Sequence, residues 1–203
     1  FENKLNFVID YFDKLTSGIL YNVTASDVLG LEPSIENAGE VSNKGIDFSI
    51  AYQNSIGDFS YDVSANFSYV KNNVEELANV ERDINSGLFV GYPLESIYGY
   101  VAEGLFVDQA DVDNSPSQPR TAKPGDIKFK DISGPDGVPD GVVDADYDRK
   151  IIGNRFPKYN YGAQINAGYK NFDFSIQMQG VAGLEQIIGG HAGNAFFQGS
   201  SPQ

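Results

Sequence analysis

The chain has 203 residues, enough for one domain or two small ones, and a formal net charge of -14. That acidity argues against a nucleic-acid partner, since such proteins carry a basic footprint, and the absence of Cys rules out a disulfide framework and any thiolate metal site. With 12 Tyr, 14 Phe, 22 Gly and no Trp, the composition favours β structure with many turns.

Leu5, Phe7, Ile9 and Tyr11 alternate with Asn6, Val8, Asp10 and Phe12, which predicts a first strand. Residues 15–40 hold Ser17, Gly18, Gly30, Pro33, Asn37 and Gly39 and read as a long loop. Ile46, Phe48, Ile50 and Tyr52 then alternate with Asp47, Ser49, Ala51 and Gln53. After a tight turn at Ser55–Asp58, Phe59, Tyr61, Val63, Ala65, Phe67 and Tyr69 alternate with Ser60, Asp62, Ser64, Asn66 and Ser68. These two runs predict a hairpin. Residues 71–158 differ in character: Val74–Val80 could be a short helix or none, Ser96–Phe106 suggests a short strand, and Gly125–Asp148 is acidic and rich in Gly and Pro. A connection that long reads as a functional loop. Residues 159–182 predict a second hairpin about Lys170–Asn171, and residues 183–203 the start of another loop. Residues 1–70 thus supply strands and one loop, 71–158 a large insertion, 159–182 a second hairpin and 183–203 the start of a further loop, all in one partial all-β domain.

Each strand has one apolar and one polar face, because side chains alternate across a strand. The apolar face points into a core in a soluble β-sandwich, and into lipid in a membrane barrel. The polar face carries mostly Ser, Asn, Gln and Gly, with few charges, which suits a hydrated lumen. The apolar face has rings at both ends (Tyr52, Phe59, Tyr61, Tyr169, Phe172 and Phe174; Phe48, Phe67, Tyr69, Tyr159 and Tyr161) and Ile50, Val63, Ala65, Ala163, Ile165, Ala167 and Ile176 between them. Two aromatic girdles around an aliphatic band describe the outside of a membrane barrel. No run of about 18 apolar residues predicts a membrane-crossing helix, whereas strands of about 10–12 residues match a tilted span. The expected fold is a partial transmembrane antiparallel β-barrel of about five spanning strands with long extracellular loops. A soluble β-sandwich binding module for carbohydrate is the alternative. In the barrel reading, Ser55–Asp58 and Lys170–Asn171 face the periplasm, residues 15–40, 71–158 and 183 onward face outside, and the insertion does not cross the membrane.

Only the acidic stretch offers ligand chemistry. Asp131, Asp136, Asp140, Asp144 and Asp146 could curl around a hard cation such as calcium. The EF-hand spacing is not met, and a solvated loop shaped by Asp-Gly turns has the same composition. His191, the only histidine, lies in a Gly-rich stretch with no Ser or Cys partner pattern, so no catalytic residue is assigned and no enzyme is expected. Tyr98, Tyr100 and Phe106 could stack on sugars or pack a loop hairpin.

Asn37-Ala38-Gly39-Glu40-Val41-Ser42-Asn43-Lys44-Gly45-Ile46-Asp47 resembles the "N-x-G-x-v-x-N-k-G-i-E/D" signature of SusC/RagA-type TonB-dependent outer-membrane transporters. Asn66-Phe67-Ser68 with Lys71-Asn72-Asn73-Val74 is similar to that family's "n-f-s-x-n-k-N-k-V". Gly91-Tyr92-Pro93-Leu94, Tyr98-Gly99-Tyr100 and Glu103-Gly104-Leu105-Phe106 resemble its "G-x-P-i…y-G-Y…x-G-i-F". Pro124-Gly125-Asp126-Ile127-Lys128-Phe129-Lys130-Asp131 resembles "p-G-D-i-k-y-k-D", and Ile152-Gly153 with Pro157-Lys158-Tyr159 matches the lead into the next strand. Residues 131–148 are longer than the family's compact "D-x-N-G-D-G". The resemblance implies a segment from the C-terminal half of a barrel of about 22 strands, plugged by an N-terminal domain. It also implies an outer-membrane location, a SusD-like surface lipoprotein as lid, the TonB complex acting through the plug, and oligosaccharide or peptide fragments as cargo.

Overall fold

The structure, a computed structural model, describes residues 4–23, 34–78 and 80–188. Residues 24–33 of the first expected loop, and the Gly-rich stretch from residue 189 on with His191, lie outside the described residues. Eleven strands and one short helix follow in chain order: β1 (Leu5–Val23), β2 (Ser34–Ile56), β3 (Phe59–Leu77), β4 (Arg82–Asp83), β5 (Leu88–Phe89), β6 (Ser96–Tyr100), β7 (Ala102–Leu105), α1 (Gln109–Asp113), β8 (Ile127–Phe129), β9 (Arg149–Asn154), β10 (Tyr159–Tyr169) and β11 (Phe172–Ala182). No helix among the described residues is long and apolar enough to cross a membrane, which leaves strands free to do so.

The main sheet has five strands in the order β1-β2-β3-β10-β11. Gly57, at φ +61°, makes the tight reversal between β2 and β3. Lys170 takes a φ of +53° between β10 and β11 and fixes their register with Tyr169 opposite Phe172. β10 lies antiparallel to both β3 and β11.

The first three strands are longer than the alternation suggested, at 19, 23 and 19 residues. The expected loop over residues 15–40 is, in its described parts, the end of β1 and the start of β2. Turn formers do not stop β1 because Gly18 sits inside it at φ +67°, a glycine conformation that a strand absorbs as an irregularity. Gly39 leaves room for Ile19, whose Cβ is 3.3 Å from where a Gly39 Cβ would stand. Val74–Leu77, read as a short helix or none, is the end of β3.

The insertion is structured rather than irregular. β4 pairs with β5, β6 with β9, and β7 with β8, each as a separate two-stranded sheet. α1 is capped by Asp108, whose carboxylate accepts from the Asp111 N–H at 2.8 Å. Among the described residues, no strand between β3 and β10 joins the five-stranded sheet.

The chain divides into two compact units. One contains residues 1–9, 47–69 and 157–203, the other residues 10–46 and 70–156. Buried apolar side chains among the described residues are Val41, Val74, Leu77, Phe89, Phe106 and Val143, all in the second unit. Val41, Val74 and Leu77 form its small core, with Ile19, Leu88 and Leu94 packed against them. The first unit, which carries the hairpins, holds no buried apolar side chain among its described residues.

Candidate functional site

The register turns the alternation into two ordered surfaces. Across β3, β10 and β11 the apolar face stands in rows: Tyr69, Tyr159 and Ala182; Phe67, Tyr161 and Gly180; Ala65, Ala163 and Met178; Val63, Ile165 and Ile176; Tyr61, Ala167 and Phe174; Phe59, Tyr169 and Phe172. Rings occupy the outer rows and small or aliphatic side chains the middle. The rings touch their neighbours: Tyr69 and Tyr159 lie 5.4 Å apart, Phe67 and Tyr159 6.1 Å, Phe59 and Tyr61 5.7 Å, and Tyr52 and Tyr61 5.9 Å. Among the described residues nothing in this unit covers the face, so Phe172 is 79% exposed and Met178 57%. A sandwich would bury such a face under a second sheet, and none is present among the described residues. An apolar band about 25 Å tall between ring girdles is instead the lipid-facing side of a barrel strand.

The opposite face is polar over most of its length, with Ser68 abreast of Asn160 and Val181, Asn66 of Gly162 and Gln179, Ser64 of Gln164 and Gln177, Asp62 of Asn166 and Ser175, and Ser60 of Gly168 and Asp173. Its side chains bond to one another. Asn166 donates to Asp62 Oδ2 at 2.8 Å and accepts from Ser175 Oγ at 2.6 Å and Gln164 Nε2 at 3.3 Å. Ser68 donates to Asp47. Such a surface suits a wet lumen, where amides and hydroxyls exchange partners with water at little net cost.

The residues that carried the resemblance do a different job in the second unit. Asn72, nearly buried on β3, donates to Asn43 Oδ1 on β2 at 2.8 Å and accepts the Leu94 N–H at 2.7 Å. Ser42 donates to Glu75. The backbone reinforces this tie, since Val74 N–H donates to Tyr92 O at 2.9 Å and Gly91 N–H to Val74 O at 2.8 Å. Val41, Val74 and Leu94 pack beneath it. The Gly91–Leu94 turn is thereby fixed to β2 and β3.

In the acidic stretch the carboxylates mostly organise backbone. Asp131 Oδ2 accepts the Gly141 N–H at 2.7 Å, Asp140 Oδ1 the Val142 N–H at 2.9 Å, and Asp144 Oδ1 the Asp146 and Tyr147 N–H groups at 2.8 and 2.9 Å. Asp136 and Asp146 are exposed on turns. Among the described residues, no group of three or more His, Asp or Glu side chains is gathered where it could hold a metal ion. The residue the sequence reading passed over is Asp148, which is 0% exposed. Its Oδ1 accepts from the Ile132 and Ser133 N–H groups at 2.6 and 3.1 Å, and its Oδ2 from the Asp144 N–H at 2.8 Å. Burial pushes this carboxyl up, but the three N–H donors outweigh it and hold the group below the ordinary Asp value. The candidate rings pack the loop: Tyr98 lies 5.2 Å from Phe89 with the Arg149 guanidinium over it, Tyr100 lies 5.1 Å from Phe129, and Phe106 is buried under Lys128.

Strands with a ring-bounded apolar face and a polar reverse define a class, the antiparallel transmembrane β-barrel. The family follows from comparison. Residues 1–177 match the model of the TonB dependent receptor-like, beta-barrel family, and the chain belongs to that family. It is 29% identical over 198 residues to TonB-dependent receptor P3 of Formosa agariphila, covering 91% of this chain and 19% of that protein. With TonB-dependent receptor P26 of the same organism it shares 28% identity over 197 residues, again 91% of this chain and 19% of the relative. The chain thus spans about a fifth of the length of these relatives. Among solved structures its fold is similar to the RagAB peptide transporter, with a TM-score of 0.70 at 20% identity over 91% of this chain and 19% of that one.

Proposed function

We propose that this chain is a segment of an outer-membrane, TonB-dependent importer of oligosaccharide or peptide fragments. The uncovered apolar face with its two ring girdles carries the reading, because only lipid matches both its uniform apolarity and its aromatic margins. β1, β2, β3, β10 and β11 then supply part of the barrel wall, and the polar face lines the lumen. Residues 71–158 stand on the extracellular side, where a SusD-like lipoprotein would act as lid. TonB would act through a plug carried elsewhere in the polypeptide. Transport, not catalysis, is the activity this arrangement serves. The description of RagAB as a peptide transporter supports the peptide option.

Uptake of labelled fragments by cells carrying the full-length gene, compared with gene-deleted and TonB-deficient cells, tests the reading. The expected result is outer-membrane fractionation and uptake lost in both mutant strains. Recovery in the aqueous fraction, or uptake indifferent to both deletions, would sink it.

A further inference from the structure

The second unit contains a cleft of 610 Å³ lined by Tyr100, Ile127 and Phe129 and by the segment from Gln118 to Ala122, with Arg120. Gln118 makes the cleft rigid: its Oε1 accepts the Phe129 N–H at 2.9 Å, and its Nε2 donates to Phe129 O and Pro116 O at 3.2 and 3.0 Å. One amide side chain thus takes the place of a neighbouring strand along β8. Its polar groups are used up by this, and Asp126 at the rim spends Oδ2 on the Lys123 N–H at 2.9 Å. The Tyr100 and Thr121 hydroxyls and Asp126 Oδ1 remain at the lining, but the ring and aliphatic surface of Tyr100, Phe129 and Ile127 dominates.

Arg120 is the exception. Its guanidinium is exposed and, among the described residues, no hydrogen bond or ion pair engages it. Of the nearby ammonium groups, Lys128 is held by Asp111 at 3.0 Å and Lys130 by Glu103 at 4.0 Å, whereas among the described residues no ion pair engages Lys123. A guanidinium presents a planar fork of donors that matches a carboxylate.

From this pairing, and resting on the import reading, we infer that the cleft is a cargo subsite for the C-terminal end of a peptide fragment. The terminal carboxylate meets Arg120, and an apolar last side chain lies against Tyr100, Ile127 and Phe129. An acidic saccharide offers the same carboxylate, but its many hydroxyls would face a mostly apolar lining, and burying polar groups unpaired is unfavourable. The peptide end satisfies both halves of the site.

Calorimetry on the purified full-length transporter tests this with the tripeptide Gly-Gly-Leu, its C-terminal amide and trigalacturonate. The free acid should bind at least about tenfold more tightly than the amide, as expected for loss of one charge-assisted contact. R120A should weaken the acid by a similar factor and leave the amide unchanged, and R120K should restore part of the difference. Equal affinity of acid and amide overturns the inference, as does an unchanged acid affinity in R120A, or an Arg120-dependent trigalacturonate with no peptide binding. If R120A fails to reach the membrane, the acid-against-amide comparison on the wild type still decides. TonB-dependent uptake measured on the same wild-type protein separates the two ideas. Its loss for every cargo would sink the import reading, whereas intact uptake with Arg120-independent binding sinks only the subsite.

Discussion

Ile165→Arg, set against Gln164→Arg, puts the direction of the apolar face to a direct test. The two residues are adjacent on β10 and therefore point to opposite sides of the sheet. Ile165 stands between Val63 and Ile176. At ~3.3 Å per residue it lies about 20 Å along the strand from Tyr159 and about 13 Å from Tyr169. With a strand tilt near ~40° those distances become roughly 15 and 10 Å along the membrane normal, within about 3 Å of the centre of the apolar band. Arginine at that depth on a lipid-facing surface costs about 2–4 kcal/mol, a roughly 30- to 1000-fold fall in the folding equilibrium constant. Gln164 belongs to the polar face, so the same side chain there should change folding by less than about 1 kcal/mol. Equilibrium urea titration of the full-length protein in phosphocholine vesicles measures both. Equal tolerance of the two variants, or greater damage from Gln164→Arg, would refute the assignment of faces.

Asp148→Asn should loosen residues 132–144 by about 2 kcal/mol, because an amide nitrogen would face a backbone N–H in place of an acceptor oxygen; limited proteolysis of that stretch at pH 7 reads it. Since the folded Asp148 carboxyl lies below its unfolded value of about 3.9, its stabilisation is present above that pH and is lost as pH falls through the folded value. Wild-type loop cleavage should rise in acid, while the Asn variant shows a flatter profile. Asn72→Ala removes the partner of Asn43 and of the Leu94 N–H; hydrogen exchange at Leu94 should accelerate about 30-fold, corresponding to roughly 2 kcal/mol, with no change at Ile165. Calcium is expected to leave the thermal midpoint of the full-length protein unshifted, because among the described residues no three carboxylates converge; saturable heat in a CaCl2 titration would refute this.

The wall was legible because its signal is local: alternation sets the face of each side chain, and the reversal at Lys170–Asn171 fixes how β10 meets β11. Pairing of β3 with β10 across the long insertion was not local, yet the grading of rings and aliphatics along both strands already matched. The continuation of β1 and β2 was hidden because Gly18 and Gly39, read as turn signals, serve a strand irregularity and a close approach to Ile19. The insertion escaped sequence reading for another reason. Its order depends on side chain to backbone bonds between distant residues, as from Asp148 to Ile132 and from Gln118 to Phe129, and no periodicity reports those.

The tie made by Asn72 has a further consequence. It grips the turn at Leu94 by its main chain, and the neighbouring backbone bonds at Val74 and Gly91 are equally indifferent to side-chain identity. The Gly91–Leu94 turn is thus secured through its main chain, while the segment around Arg120 is held by a separate device, Gln118. Surface side chains around Arg120 can therefore be exchanged one at a time, with the Asn72 tie left as an unaltered socket for each version.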